Sequence, residues 1–345
     1  MKPETSTTEL YCGMDLHSNN VYCGIIDQAG ARVKGKKLPL DLAAILDFLE
    51  PYRDKLVDIV VESTYNWYWL VDGLQERCYP VRLANPAETE KYSGLKYADD
   101  KSDAFWLAEM SRLRILPTGY IYPKEIRPIR DLFRRRLLLV RQHVQTLQSV
   151  QTMIARSTAE TISCSKLSTW TARDVKACLK NVHLQQTALY LLEVADKQQR
   201  VIAKIEMHAG GEVKLFGRWR LLVDVPGIAE ILGATIMLET GPIERFANVG
   251  RYASYIRGVK SEKWSNNKKK GKGNLKNGNK YLAWAFVEAA QHAQRHYPEI
   301  KSWFERKMRK TNRNVAIKAL ACKLAKAVYY ILRDNVEFDM QKMFG

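Results

Sequence analysis

The sequence predicts a mixed α/β front followed by a helical remainder, and three observations carry that reading. Strand and helix signals alternate as far as Met110. Beyond Ile129, apolar residues recur at long-helix spacing. The charge also divides. Residues 1–110 hold 12 Lys/Arg against 18 Asp/Glu, whereas residues 111–345 hold 43 against 19, within a formal net charge of +18. An acidic front and a basic remainder point to a surface that grips a polyanion, with a basic surface kept for solubility as the bland alternative.

The front elements follow from periodicity. Leu10–Met14, Val21–Ile26 and the weaker alternation Ala31–Leu38 read as three strands, and Leu40–Leu49 as a helix. Asp58–Val61 reads as a buried strand, Trp67–Leu74 as a helix and Pro80–Leu83 as a strand. A further helix is predicted from about Asp99 to Met110. This order makes a mixed sheet with helices on its faces, in which the first and fourth strands can be neighbours. Pro117, Pro123 and Pro128 then punctuate a linker.

From Ile129 a long helix carries Arg134, Arg135 and Arg136. Its stripe of Leu137, Val140, Val144, Leu147 and Ile154 is matched by Ala188, Leu191, Ala195, Ile202 and Ile205. The two stripes predict a helical hairpin within the chain or a coiled coil between protomers. Near Leu221 a third region begins. Val225-Pro226-Gly227-Ile228 followed by Leu232-Gly233-Ala234 places a glycine turn between short helices, either a backbone-phosphate contact or a tight αα turn. Residues 255–280 contain nine Lys/Arg and one acid among Gly and Asn, which predicts a cationic loop and no regular helix.

Composition excludes several classes. With 345 residues, 46% hydrophobic and 27% charged, the chain is globular and long enough for two domains. Six scattered cysteines without a C-x-x-C pair argue against a zinc ribbon or a disulfide scaffold and suit a reducing cytoplasm. No run of about 18 apolar residues suggests a membrane span, and the polar start has no signal-peptide core.

Four carboxylates stand out. Asp15 ends the first strand and Glu62 ends Ile-Val-Val. Asp100 and Asp103, three residues apart, share one face at a helix start, and that spacing favours Asp100 over Asp99. Capping and Asx-turn duties are the structural alternatives for the aspartates. Clustered carboxylates repel unless a hard divalent cation sits among them, so Mg²⁺ (or Mn²⁺) is the expected cofactor, suited to phosphodiester chemistry. His17 and His143 are isolated in the sequence and read as surface or hydrogen-bonded histidines. His292-x-x-Arg295, with Arg257 upstream and Trp303, Tyr329 and Tyr330 downstream, imitates a tyrosine-recombinase series but reads as a chance match inside a helix. Trp67, Tyr68 and Trp69 read as core more readily than as base-stacking residues.

The Asp15, Glu62, Asp100, Asp103 pattern, together with the back-half stretch VPGIAEILGATIMLETGPIERFANVGRYASYIRGVKSEKWSNNKKKGKGNLKNGNKYLAWAFVEAA, resembles the DEDD transposases of the IS110 family. The wording SNNKKKGKGNLKNGNKYLAWAF is similar in particular to its IS1111 branch. The resemblance covers nearly the whole chain. It implies an RNase H-like (RuvC-like) domain over 8–112, a helical or coiled-coil stalk over 120–212, and a mostly α-helical transposase domain over 215–345. It further implies that the four acids hold the metal and that Ser265 is a nucleophile forming a phosphoserine link to DNA, in a recombinase guided by an element-encoded RNA. Ser265-Asn266 departs from the Ser-Gly of many relatives, and Ser261 lies four residues upstream. Arg134–Arg136, Lys268, Lys269, Lys270, Lys272, Lys276 and Lys280 are the candidate nucleic-acid contacts. Double-stranded DNA, a guide RNA and further copies of the chain, as a dimer or tetramer, are the expected partners. The other classes left open are a junction-type nuclease with water as nucleophile and a non-catalytic nucleic-acid-binding assembly protein.

Overall fold

In the computed structural model, which describes residues 9–89, 99–214, 217–259, 262–266, 268–272 and 277–345, the chain divides into two compact units. One comprises 1–124 with 273–277, the other 125–272 with 278–345.

The first unit is built on strands β1 (Leu10–Leu16), β2 (Asn20–Asp27), β3 (Arg32–Pro39), β4 (Leu56–Glu62), β5 (Val81–Ala84) and β6 (Thr118–Gly119). They lie in the order β3-β2-β1-β4-β5-β6. β1 is antiparallel to β2 and parallel to β4, so the first and fourth strands are neighbours, and β6 lies in the stretch that the prolines mark as a linker. Helices α1 (Leu42–Leu49) and α2 (Tyr68–Gln75) cover one face. There Ile45, Leu49, Leu70 and Leu74 pack on Cys12, Met14, Ile59 and Val61, and Trp67 is buried in the same core with Tyr68 and Trp69 against it. The short α3 (Pro86–Thr89) precedes α4 (Asp100–Arg112), which lies on the opposite face. Edge strand β3 carries Lys34, Lys36 and Lys37, charges that discourage edge-to-edge pairing.

What brings α4 close is a row of glycines. Gly13, Gly24 and Gly35 are register partners across β1, β2 and β3. A Cβ on Gly13 would lie 2.0 Å from the Ala104 carbonyl oxygen, and one on Gly24 or Gly35 would lie 2.9 Å from the Phe105 ring. The helix backbone therefore rests directly on β1, with Phe105 over β2 and β3.

The second unit begins with α5 (Arg127–Thr158), which pairs with α8 (Val182–Lys214). Arg136 meets Glu206, His143 Nδ1 lies 3.0 Å from the Ala195 carbonyl, and Thr146 reaches Gln198, so the two helices run antiparallel. The two apolar stripes of the sequence thus meet within one chain. Leu137, Leu147, Ile154, Ala188, Ala195 and Ile202 are buried, whereas Val144 turns to solvent. Short helices α6 (Cys164–Leu167) and α7 (Ala172–Cys178) close the far end of this hairpin.

The rest is mostly helical: α9 (Trp219–Val223), α10 (Glu230–Thr240), α11 (Val249–Tyr255), α12 (Lys280–His296), α13 (Pro298–Arg309), α14 (Arg313–Asp334) and α15 (Met340–Phe344). Tyr252, Phe286, Leu320 and Val328 lie at the centre of its core. Gly227 makes the turn before α10 at φ +83°, and a Cβ there would lie 2.1 Å from the Ala289 carbonyl oxygen, so the turn presses onto α12. The segment read as a cationic loop contains a hairpin, β7 (Glu262–Ser265) with β8 (Lys268–Lys272), paired antiparallel. Asn266 takes the left-handed conformation at its turn (φ +52°), which asparagine tolerates better than most residues. Glycine and asparagine that forbid a helix are thus compatible with a tight β-turn.

All six cysteines are free, and no helix among the described residues is long and apolar enough to cross a membrane.

Candidate functional site

The front acids occupy one end of the sheet, on the face that carries α4. Side chains alternate across a strand, so Asp58, Val60 and Glu62 of β4 share a face. Asp58 accepts a hydrogen bond from Ser111 of α4, and Val60 packs with Leu107 and Met110. Stepping up the strand therefore means stepping back along the helix by a turn, which brings Glu62 to the level of Asp103. On β1, Gly13 lies under Ala104 and Ala108, and Asp15 lies one alternation further. Met14 pairs with Val61, so Asp15 and Glu62 end neighbouring parallel strands at the same height.

Asp15 is buried at 2% exposure, while Glu62, Asp100 and Asp103 are half-buried. Asp99 caps α4, its carboxylate accepting from the Ser102 amide. Asp100 and Asp103 follow in the first turn, where negative charge is favoured by the exposed N–H groups.

His17, isolated in the sequence, is not isolated in space. Its Nε2 lies 2.9 Å from Asp15 Oδ2 and 3.2 Å from Asp100 Oδ1. Lys37 Nζ on β3 is 3.9 Å from Asp100 Oδ2. The signal was present: a residue two positions beyond Asp15 at a strand end projects to the same side. The His17 backbone is held at both ends, its N–H donating to the Asn20 carbonyl and its carbonyl accepting from Asn66 Nδ2, each at 2.9 Å. Asn66 belongs to the turn after Glu62, in which the Thr64 hydroxyl donates to Asn66 Oδ1. One donor atom from each of Asp15, His17 and Asp100 lies within 4.8 Å of the others. Carboxylate oxygens with an imidazole nitrogen at this spacing fit a small divalent cation.

Asp58, within the strand predicted over Asp58–Val61, is a second buried acid on the α4 face. Burial pushes the Asp58 carboxyl above the usual carboxylate range, against the opposing pull of Ser111 and of Arg82, whose Nε is 3.2 Å away. It lies four residues before Glu62 along β4.

In the second unit, the three arginines of α5 have different surroundings. Arg134 donates to both carboxylate oxygens of Glu239, its Nε 2.5 Å and its Nη2 2.8 Å away, and lies 4.5 Å above the Tyr281 ring. Burial opposes its charge, but the Glu239 carboxylate outweighs that and raises its pKa. Arg136 pairs with Glu206 at 2.5 Å. Arg135 faces solvent. Glu239 is held further by Arg130 at 3.0 Å and Asn279 Nδ2 at 2.7 Å. Burial would push this carboxyl up, yet the two guanidinium groups and the amide prevail and hold it below the usual range.

Asn279 also caps α12, and its N–H donates to the Tyr255 carbonyl at 2.6 Å while Arg257 donates to the Gly278 carbonyl. These bonds pinch the two ends of the cationic segment together. Ser265 closes β7 and its register partner is Lys268. Lys268, Lys270 and Lys280 are exposed. Ser261 and Lys276 lie outside the described residues, as do the side chains of Ser265, Lys269 and Lys272.

Two family models match the chain. One, described as a transposase model of the IS110 DEDD type, matches residues 12–157. The other, described as the transposase IS116/IS110/IS902 family, matches residues 219–305. No curated protein matches. The first match spans the strands and helix that carry the four acids and implies an RNase H-like fold in a metal-dependent family. With these two models matched in order over residues 12–157 and 219–305, the protein belongs to the IS110 family of DEDD transposases.

Proposed function

We propose that this transposase is a site-specific DNA recombinase that exchanges strands through a covalent phosphoserine intermediate, with Asp15, Glu62, Asp100 and Asp103 holding Mg²⁺ or Mn²⁺. The observation that supports it most is the placement of four acids from β1, β4 and the first turn of α4 at one end of the sheet, where donor atoms of Asp15 and Asp100 lie within 4.8 Å of each other and of His17, in the part of the chain matched by the DEDD model. Bound there, divalent ions would stabilise negative charge developing at a phosphodiester.

The organisation that accompanies this reading is an acid-bearing domain over 8–112, a helical stalk over 120–212 and a serine-bearing domain over 215–345. Ser265 Oγ attacks a DNA phosphorus; the new P–O bond replaces the bond to one deoxyribose oxygen, and the serine proton ends on the released hydroxyl. The phosphodiester energy stays in the protein–DNA bond, which suits rejoining to another strand. A serine hydroxyl is a weak nucleophile at neutral pH and needs activation, so the acids and the serine act on the same scissile phosphate, within one protomer or between two. The cationic segment, with Arg135, Lys268, Lys269, Lys270, Lys272, Lys276 and Lys280, follows nucleic-acid backbone, including a guide RNA encoded by the element. Two duplexes must be held at once, which calls for a dimer or tetramer.

The test is to incubate the protein with its element RNA, DNA and Mg²⁺ and look for a protein–DNA adduct. The wild type is expected to form it, and both Ser265→Ala and Asp15→Ala to lose it. An adduct persisting in Ser265→Ala moves the nucleophile elsewhere, Ser261 first. Cleaved ends without any adduct make the protein a nuclease with water as nucleophile. Binding without reaction in the wild type makes it a non-catalytic assembly protein.

A further inference from the structure

His17 belongs to no DEDD quartet, yet its ring nitrogen is the atom nearest to both Asp15 and Asp100 among the contacts of that edge. We propose that His17 Nε2 is itself a ligand of the divalent ion, so that this chain binds its metal through an O,N,O set and favours Mn²⁺ over Mg²⁺. The inference rests on the metal-site reading above and adds to it a donor and a preference.

Geometry supports it first. In an octahedral site with bonds of about 2.1 Å, neighbouring donors sit about 3.0 Å apart. The separations from Nε2 to Asp15 Oδ2 and Asp100 Oδ1, 2.9 and 3.2 Å, are of that size. Nε2 thus lies about one donor–donor spacing from an oxygen of each carboxylate, and the three atoms lie within 4.8 Å of one another.

The second support is how the backbone that carries the ring is held. Here the N–H of His17 is bonded to Asn20 and its carbonyl to Asn66. Asn66 is tied through Thr64 to the turn that leaves Glu62. The two strand ends bearing acids are therefore laced together through His17 itself.

Chemistry gives the preference. Mg²⁺ takes oxygen donors and binds imidazole poorly, whereas Mn²⁺ accepts both. Lys37 Nζ, 3.9 Å from Asp100, offers the edge a positive charge but no lone pair while protonated.

The experiment uses the full chain and Mn²⁺ alone, without nucleic acid. Electron spin-echo modulation of bound Mn²⁺ is expected to show coupling to one directly bonded imidazole ¹⁴N, and the preference for Mn²⁺ over Mg²⁺ to be at least about tenfold. His17→Gln keeps an N–H able to hydrogen-bond Asp15 but removes the imidazole nitrogen; it is expected to lose the ¹⁴N coupling and most of the preference while still binding Mn²⁺ through oxygen. Bound Mn²⁺ in the wild type without ¹⁴N coupling overturns the proposal, and so does a preference unchanged in His17→Gln. These results would leave the carboxylate site standing. No Mn²⁺ bound by the wild type, or binding unaltered by Asp15→Asn, would overturn the metal-site reading itself, and this inference with it.

Discussion

Asp15 and Glu239 are each 2% exposed, one in each unit of the chain, and their surroundings are opposite. Glu239 receives Arg130, Arg134 and Asn279, enough donors to satisfy both oxygens and hold the carboxyl ionised. Asp15 has one side-chain partner among the described residues, the imidazole of His17, and its neighbours at that strand end are further acids. A buried carboxylate surrounded by fixed cations is a finished piece of structure, and its removal leaves other charges stranded. One at an edge of acids retains lone pairs that a cation from solution can use. Equal burial therefore separates the two sites less than the count and sign of what faces them.

The largest effect expected from breaking this contrast is at Glu239. Glu239→Gln leaves Arg130 and Arg134 facing a neutral amide and is expected to cost about 3–5 kcal/mol in denaturant unfolding of the second unit. The pH dependence follows from the sign of its shift. A carboxyl held below its unfolded value of about 4.3 contributes stability above that pH and loses it as pH falls through the folded value. Acid unfolding of the wild type should therefore steepen below about pH 4, and Glu239→Gln should flatten it. An unchanged acid profile would mean that Glu239 is not the saturated acid described here.

A smaller effect is expected at Gly13, and it tests the open site. A methyl there meets the Ala104 carbonyl oxygen at 2.0 Å, so Gly13→Ala must lift α4 from β1. The expected cost is about 1–3 kcal/mol, with weaker Mn²⁺ binding because Asp100 moves away from Asp15. Thermal unfolding and metal titration measure the two parts. Stability lost without any change in metal affinity would show that the close approach of α4 is not what sets the spacing of the acids.

The smallest effects distinguish neighbouring arginines. Arg135→Ala should leave thermal stability within about 0.5 kcal/mol of wild type while lowering the slope of log affinity for DNA against log salt by about one. Arg136→Ala should do the reverse, losing about 1 kcal/mol with its Glu206 partner and leaving the slope unchanged. Equal slopes in all three proteins would remove this run of α5 from the nucleic-acid surface.

Much of the front unit was legible because it depends on local patterning. Strand alternation placed β1, β2 and β4, Ile-Val-Val before Glu62 marked a buried strand end, and Asp99–Asp103 marked a helix start. The hairpin of β7 and β8 was not, since nothing in a run of Lys, Gly and Asn says whether its turn residues close strands or an open loop. The arginine run was legible as charge but not as partnership. Arg134 and Arg136 meet acids 105 and 70 residues away, and no local pattern contains that information. His17 falls between these cases, because its spacing from Asp15 is local but Asp100 reaches it from another element.

The amino-acid order by itself determined which segments are strands and helices, where acids end them, and that the positive charge gathers in the later part of the chain. These are properties of neighbours along the backbone, set by periodicity, capping and composition. Only the tertiary structure decided which charges meet. The glycine row let α4 lie on the sheet and carry Asp100 to His17, and the packing of α5, α10 and α12 turned Arg134 from a free cation into the counter-ion of Glu239. Charge–charge contacts depend on distances of a few ångströms between elements far apart in sequence, and these are fixed only when backbones pack.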